Sequence, residues 1–297
     1  MKNYLLHKLL VCIGWVSSKL STKVRITVAK KISQILTVFN TKRLHIALEN
    51  ISISFPEKDV QWCKSIAYQS NENLVVTMFE FLALPFLEKS KVVSMFSFPD
   101  NNLLGGNEST SKGGILLSAH FGNWELGAFS FGLFYNSPIT IVVKEQRNKF
   151  VSDLFNQYRT SGNNTIVKMD NAAKEMIATV KNGGIVGILA DQAADPNKDV
   201  FINFFGRPAV TFEAPATLAL RYNVPIILIF SIRQNDGNYK VVIEKLDIGS
   251  LTNTSENRRL VMTKYNESLE RLIRKYPGMW SWQHKRWKYN IEHYTQR

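Results

Sequence analysis

The residues best suited to chemistry lie in one short stretch, Ser118-Ala-His120-Phe-Gly-Asn-Trp-Glu125. An imidazole and a carboxylate five residues apart can meet across a single turn. Such a pairing fixes the tautomer of His120 and raises the basicity of its free nitrogen, as a general base for a hydroxyl group requires. Gly122 between them allows backbone to approach a ligand closely. The preceding Gly114-Ile-Leu-Leu-Ser118 reads as a short buried strand, and a helical pattern follows from about Asn123 to Phe134. His120 therefore leaves a strand at its carboxyl end, and Glu125 lies in the first turn of the next helix. That helix start adds amide donors for a developing oxyanion or a phosphate.

Other chemistries fit poorly. The chain has no G-x-S-x-G elbow, no Walker loop, no G-x-G-x-x-G and no C-x-x-C. Ser118 stands on a strand without an elbow around it. Cys12 and Cys63 have no neighbouring base in sequence, form no disulfide framework and fit a reducing compartment. The histidines at 7, 45, 120, 284 and 293 show no metal-ligand spacing. A base-assisted reaction without a covalent enzyme intermediate is what remains.

The elements that must position these residues alternate. Strands are expected at 114–118, 139–143, 165–167, 184–190, 224–232 and, after the Asn235-Asp-Gly237 turn, at an edge from 239 to 247. Helices are expected at 123–134, 150–161, 172–181, 213–222 and 256–276. Short apolar strands alternating with helices indicate an α/β fold, a mostly parallel sheet flanked by helices on both faces. In such sheets ligands bind beyond the carboxyl ends of the strands. Before the sheet, Pro56, Glu57 and Asp59 introduce a long helical pattern from Val60 to about Leu87. Asn101 to Gly114, rich in glycine and polar residues, reads as a loop.

The chain has 297 residues, 45% apolar and 11% aromatic, which excludes global disorder. A mean hydropathy of −0.12 excludes a polytopic membrane protein. Its 37 Lys and Arg exceed its 24 Asp and Glu by 13, and a surplus of this size calls for an anionic partner. The N-terminus narrows the choice. Leu9 to Val16 is an uninterrupted apolar run of eight residues, whereas a spanning helix needs about 20. From Lys23 to Phe39, helical spacing places Val24, Val28, Ile32, Ile35, Leu36 and Phe39 on one side, with Lys23, Lys30 and Lys31 among them. Two basic amphipathic helices in series fit a segment lying on an anionic bilayer. Residues 1–40 are therefore read as an N-terminal helical, membrane-associated extension and 41–297 as the catalytic domain.

The motif His120-Phe-Gly-Asn-Trp-Glu125 resembles the H-x4-D/E signature of glycerolipid acyltransferases, in the form found in the lipid A biosynthesis (lauroyl/myristoyl) acyltransferases. Three further blocks agree in order: Asn50-Ile-Ser-Ile-Ser-Phe-Pro-Glu57; Ala190-Asp-Gln192 with Phe201-Ile-Asn-Phe-Phe-Gly-Arg-Pro-Ala-Val-Thr211; and Pro277-Gly-Met-Trp-Ser-Trp-Gln-His-Lys-Arg-Trp-Lys288. Together they span about residues 45 to 290. The resemblance implies transfer of a fatty acyl chain from acyl carrier protein to a hydroxyl of a lipid A precursor, at the cytoplasmic face of a bacterial inner membrane. It implies His120 as general base, Glu125 as the group that orients it, and no metal or bound cofactor. On the substrate side it points to Asn123, Arg159, Asp191, Gln192, Arg207 and Thr211. Asp191 sits just beyond a strand on the same edge as His120 and orients a loop or cleft residue; Arg207 and Thr211 bind phosphate or line the cleft. Phe121, Trp124 and Phe129 are candidates for an acyl groove, with core packing the expected task of at least one. His284 and Arg286 are expected to anchor the C-terminal segment. A phosphorylated glycolipid and the acidic carrier protein are both anionic, which suits the basic chain. Nucleic acid finds no recognition module here. The apolar N-terminal segment is weaker than the single spanning helix of many family members. The alternatives are an O- or N-acyltransferase on another membrane lipid, a hydrolase using the same pair with water, and a non-catalytic protein binding anionic lipid.

Overall fold

The computed structural model describes residues 2–99, 113–169 and 172–294. It opens with four helices: α1 (Lys2–Lys19), α2 (Thr22–Phe39), α3 (Thr41–Ser54) and α4 (Val60–Ala83). α4 starts where expected because Asp59 accepts the Trp62 N–H at 2.7 Å, closing the first turn. α3 has no counterpart in the sequence reading. The short α5 (Lys89–Ser94) and β1 (Phe96–Ser97) lead toward the expected loop at 101–114, of which only Gly113 and Gly114 fall within the described residues.

The alternating part follows as β2 (Gly114–Ser118), α6 (Trp124–Phe134), β3 (Ile139–Val143), α7 (Lys149–Thr160), β4 (Thr165–Lys168), α8 (Ala172–Lys181) and β5 (Ile185–Leu189). A hairpin, β6 (Val200–Phe204) and β7 (Arg207–Thr211), interrupts it before α9 (Ala214–Tyr222), β8 (Ile226–Arg233), β9 (Tyr239–Leu246) and α10 (Ser255–Lys275). The seven-stranded sheet has the order β1-β9-β8-β2-β5-β3-β4. The five strands from β8 to β4 are mutually parallel, and β9 runs antiparallel to β8. β9 was expected at the edge; the two residues of β1 pair along its outer side instead.

Alternate residues of the central strands feed two separate cores. Ile115, Leu117, Val186, Ile188, Ile226 and Leu228 pack with α8, α9 and α10 on one face. Leu116, Ile185 and Ile227 pack with α5, α6 and α7 on the other. Burial on both faces explains why the strands read as continuous apolar runs rather than alternating ones. The hairpin forms its own two-stranded sheet against α10, and Phe205 and Gly206 take positive φ (52° and 73°) at its turn.

α1 and α2 both pack on α4, and the most buried residues of each are small or polar. Arg25, Ala29, Ser33 and Thr37 form the buried stripe of α2. On α1, a Cβ at Gly14 would stand 2.1 Å from the Leu82 carbonyl, and the Ser17 hydroxyl donates to Phe79 O at 3.1 Å. Arg25 holds the elbow between the two helices by donating to the carbonyls of Ser17 (2.9 Å) and Leu20 (3.2 Å). Leu10, Val11 and Ile13 of α1 pack against the core, but many large apolar residues of both helices point away from the body: Leu5, Leu9, Trp15, Ile35, Val38 and Phe39 are all exposed, Phe39 by 82%. Among the described residues, no helix is long and apolar enough to cross a membrane.

Candidate active site

The register of β2 and β5 builds the site. Ser118 faces Leu189 across the pair, so two residues further along each strand His120 and Asp191 arrive side by side. Asp191, 2% exposed, receives three hydrogen bonds: from the His120 backbone N–H (3.0 Å), from His120 Nδ1 (2.9 Å) and from Trp280 Nε1 (2.8 Å). Burial by itself would raise the Asp191 pKa; the His120 charge and these hydrogen bonds outweigh it and hold the carboxyl below its usual range. Burial would lower the pKa of His120, and the Asp191 carboxylate more than offsets that, so it lies above its ordinary value. An ionised acceptor at Nδ1 requires the proton there, which leaves the Nε2 lone pair free in the unprotonated ring.

Glu125 does something other than expected. Both its oxygens are held by Arg159, with Nε donating to Oε2 at 2.9 Å and Nη2 to Oε1 at 2.5 Å. The carboxylate that orients His120 is thus Asp191. Five residues of separation made Glu125 the nearest candidate along the chain, but the parallel register makes Asp191 the nearest in space, and the guanidinium fork occupies Glu125. Glu125 and Arg159 still act on His120 electrostatically, in opposite directions.

A cavity of about 460 Å³ opens beside the imidazole, within the usual size of small-molecule sites. His120, Glu125, Arg159, Lys144, Gln146 and Gln192 supply its polar lining, and Leu116, Phe131, Ile139, Ile141 and Ile188 line it with apolar side chains. Gln192 Nε2 lies 3.3 Å from both ring nitrogens of His120. Trp124 meets the imidazole edge to face, with centroids 5.1 Å apart. The Ser118 hydroxyl donates to Ile229 O at 2.5 Å and is committed to the neighbouring strand.

The remaining expected residues divide. Arg159, Asp191, Gln192 and Trp124 reach the site. Asn123 is fully buried: its Oδ1 caps α6 by accepting the Leu126 N–H (3.0 Å), and its Nδ2 donates to Glu80 Oε2 (2.7 Å) and the Tyr239 hydroxyl (3.1 Å). Its side chain is thus bonded within the protein and shapes the turn. Arg207 is exposed at the start of β7 and does not line the cavity. Thr211 is fully buried and bound by Arg286 Nη2 at 2.7 Å. Phe121 and Phe129 are both core residues.

The aromatic block around the hairpin instead supports Asp191 from behind. Phe204 packs on Trp280, whose indole donates to Asp191. Arg286, 1% exposed, donates to Val210 O and Thr211 and stacks over Phe204. Burial brings its pKa down to about 10. His284 does more than anchor the C-terminal segment: its Nε2 accepts the Ala193 N–H at 3.1 Å and so holds the strand exit that carries Asp191 and Gln192. Burial lowers its pKa to about 4, which keeps it a neutral acceptor. Trp280 was missed as a contributor because the 89 residues between it and Asp191 give no local signal of the contact.

No curated protein matches the chain. The family model described as bacterial lipid A biosynthesis acyltransferase matches residues 1–289, and so takes in the helical prelude, both strand ends that form the His120–Asp191 pair, and the tryptophan-rich segment that supports it. With nearly its whole length covered, the chain belongs to the bacterial lipid A biosynthesis acyltransferase family.

Proposed function

We propose that the protein transfers a fatty acyl chain from the thioester of acyl carrier protein to a hydroxyl of a lipid A precursor, with His120 as general base and Asp191 as the residue that orients it. The observation that carries this reading is an oriented, basic imidazole beside a largely apolar cavity. His120 Nε2 takes the proton of the acceptor hydroxyl as its oxygen attacks the thioester carbonyl. The new C–O bond forms, the C–S bond breaks, and the departing thiolate recovers the proton from the imidazolium. Asp191 stabilises that imidazolium while it exists. The thioester already carries an activated acyl group, so this step calls for no further cofactor. The Glu125–Arg159 pair sets the field at the cleft and offers a cation to the phosphates of the acceptor.

The outward-facing apolar residues of α1 and α2, together with Lys8, Lys19, Lys23, Lys30 and Lys31, support attachment to an anionic bilayer. The small buried stripe of α2 and the exposed apolar side opposite it suit a helix that packs on protein inward and meets lipid outward. On this reading residues 1–40 dock the enzyme on the cytoplasmic face of the inner membrane, and the basic surface serves both the carrier protein and the glycolipid.

The test is mass spectrometry of lipid A from cells lacking the gene, complemented with wild type or His120→Ala. Loss of one acyl chain, restored only by wild type, is the expected result. Unchanged lipid A with a different acylated lipid missing would move the acceptor, and full restoration by His120→Ala would refute the mechanism.

A further inference from the structure

Gly122 and Asn123 lie between the two chemical groups of the motif, and neither faces the cleft; their contacts run to α4. The Gly122 carbonyl accepts from Asn73 Nδ2 at 3.0 Å and from Thr77 Oγ1 at 2.9 Å. The Asn123 side chain donates to Glu80 at 2.7 Å. Asn73, Thr77 and Glu80 are spaced i, i+4, i+7 and so form one stripe of α4. Glu80 is fully buried and ion-paired with Arg233 at 2.6 Å, and Arg233 also donates to Thr77 Oγ1 at 3.3 Å. On the other side the turn is closed by the Gly122 N–H, which donates to Met279 O at 2.9 Å, and by Ser231, whose carbonyl would stand 1.7 Å from a Cβ at Gly122.

Building on the acyl-transfer reading, we infer that Asn73, Thr77 and Glu80 are positioning residues that set the peptide joining His120 to Glu125 and thereby the approach of the imidazole to its substrates. The backbone from 120 to 123 is held from three sides: the C-terminal segment bonds it through Ser281 N–H to the His120 carbonyl (3.0 Å) and Met279 O to the Gly122 N–H (2.9 Å). Asp191 fixes the His120 N–H, and the α4 stripe fixes the Gly122 carbonyl. Arg233 and Tyr239 tie the stripe to the sheet, and Asn73 also donates to Met279 O at 3.1 Å, so α4 braces the face of the turn that its own strand leaves open. A shift of about 1 Å in a reacting group costs about 100-fold in rate even when the change is remote from the chemistry. Thr77 is the sharpest probe, because its hydroxyl is fully buried and Thr→Val keeps the shape.

The experiment compares Thr77→Val, Thr77→Ser and the double variant Asn73→Leu/Thr77→Val with wild type, using acyl carrier protein thioester and a lipid A precursor in detergent micelles. The expected result is a drop in kcat of about 10- to 100-fold for Thr77→Val, an unchanged KM for the thioester, and recovery in Thr77→Ser. The acid limb of the pH profile stays in place, since the His120–Asp191 contact is untouched. In hydrogen exchange, a peptide covering 119–126 loses protection while α10 keeps its own. Wild-type kcat in Thr77→Val, unchanged exchange at 119–126, a kcat loss that only tracks a loss of folded protein, or failure of Thr77→Ser to recover would each overturn the assignment. If wild type itself transfers no acyl group, the proposed function falls, while the exchange measurement still decides whether α4 holds the turn.

Discussion

Asp191→Asn separates the two carboxylates of the site. The substitution keeps the shape and removes the charge from a group that is 2% exposed and accepts three hydrogen bonds. Those bonds weaken, and an amide N–H₂ is left facing at least one N–H donor. The expected loss of stability is about 3 kcal/mol. The rate effect is larger: without the anion the imidazolium of the transition state loses its partner, and kcat at neutral pH falls about 10²- to 10⁴-fold. The pH dependence carries the sharpest sign. Burial lowers the His120 pKa and Asp191 more than reverses it, so the wild-type acid limb lies above about 6.5. In Asp191→Asn burial prevails and the limb moves down. Stability follows the same groups by linkage. The His120 contribution is full below about 6.5 and is lost as pH rises through its raised value; the Asp191 contribution is present above about 3.9 and is lost as pH falls through its lowered value. The deficit of the variant in thermal melts is therefore greatest near pH 5 to 6 and shrinks at alkaline pH. Glu125→Gln is the control: its carboxylate is bound to Arg159 and raises the His120 pKa less than Asp191 does, so its removal, which leaves Arg159 uncompensated, moves the limb down by less than Asp191→Asn does. A limb that stays put in Asp191→Asn and moves in Glu125→Gln would refute the assignment.

Three further outcomes are expected. Gly122→Ala places a Cβ 1.7 Å from the Ser231 carbonyl at a φ of +59°; strain alone costs about 1–3 kcal/mol, so its melting temperature falls by several degrees more than that of a surface control and soluble yield drops. His284→Gln retains an acceptor for Ala193 N–H but removes a group whose folded pKa is depressed to about 4. The wild type loses the His284 contribution as pH falls from about 6.5 to about 4, so denaturant titrations across that range show a shallower acid decline in the variant. Gly187 lines the cavity, and a Cβ there would stand 2.7 Å from Ile139 Cγ2; Gly187→Ala narrows the apolar part and moves the preferred thioester toward shorter chains in a competition assay with mixed donors.

The regular elements were legible because each has a local cause. Buried strands announce themselves by continuous apolar runs, and the expected strand at 139–143 and helix at 172–181 coincide with β3 and α8. The hairpin at 200–211 was visible only as a block of resemblance, since its aromatic residues pack on tryptophans some 75 residues later in the chain, as in the pair Phe204 and Trp280. α3 went unread because its 14 residues bury only Ala47, Asn50, Ile51 and Ser54, a stripe too narrow and too polar to stand out. Asn123 looked like a ligand-facing residue of the motif; that it is an N-cap bonded to a glutamate on α4 depends on a contact 43 residues away.

The same limit applies in two places where a local pattern leaves its partner in space open. Helical spacing shows that α2 has an apolar side, but not which way it faces; the inward side is Arg25, Ala29, Ser33 and Thr37, because α4 offers a close-packed polar surface with Asn71 and Glu72 rather than an apolar groove. The bond from Asn71 Nδ2 to Thr37 Oγ1 at 2.9 Å makes sense only if the apolar side of α2 is elsewhere. Likewise the spacing His-x4-Glu shows that a carboxylate lies near the imidazole, but not that it is the one hydrogen-bonded to it. Strand register decides that question: the offset of β2 on β5 delivers Asp191 to Nδ1, and a one-residue slip would turn the Asp191 side chain to the opposite face of the sheet. The motif supplies the chemical groups, and their pairing is a property of the sheet.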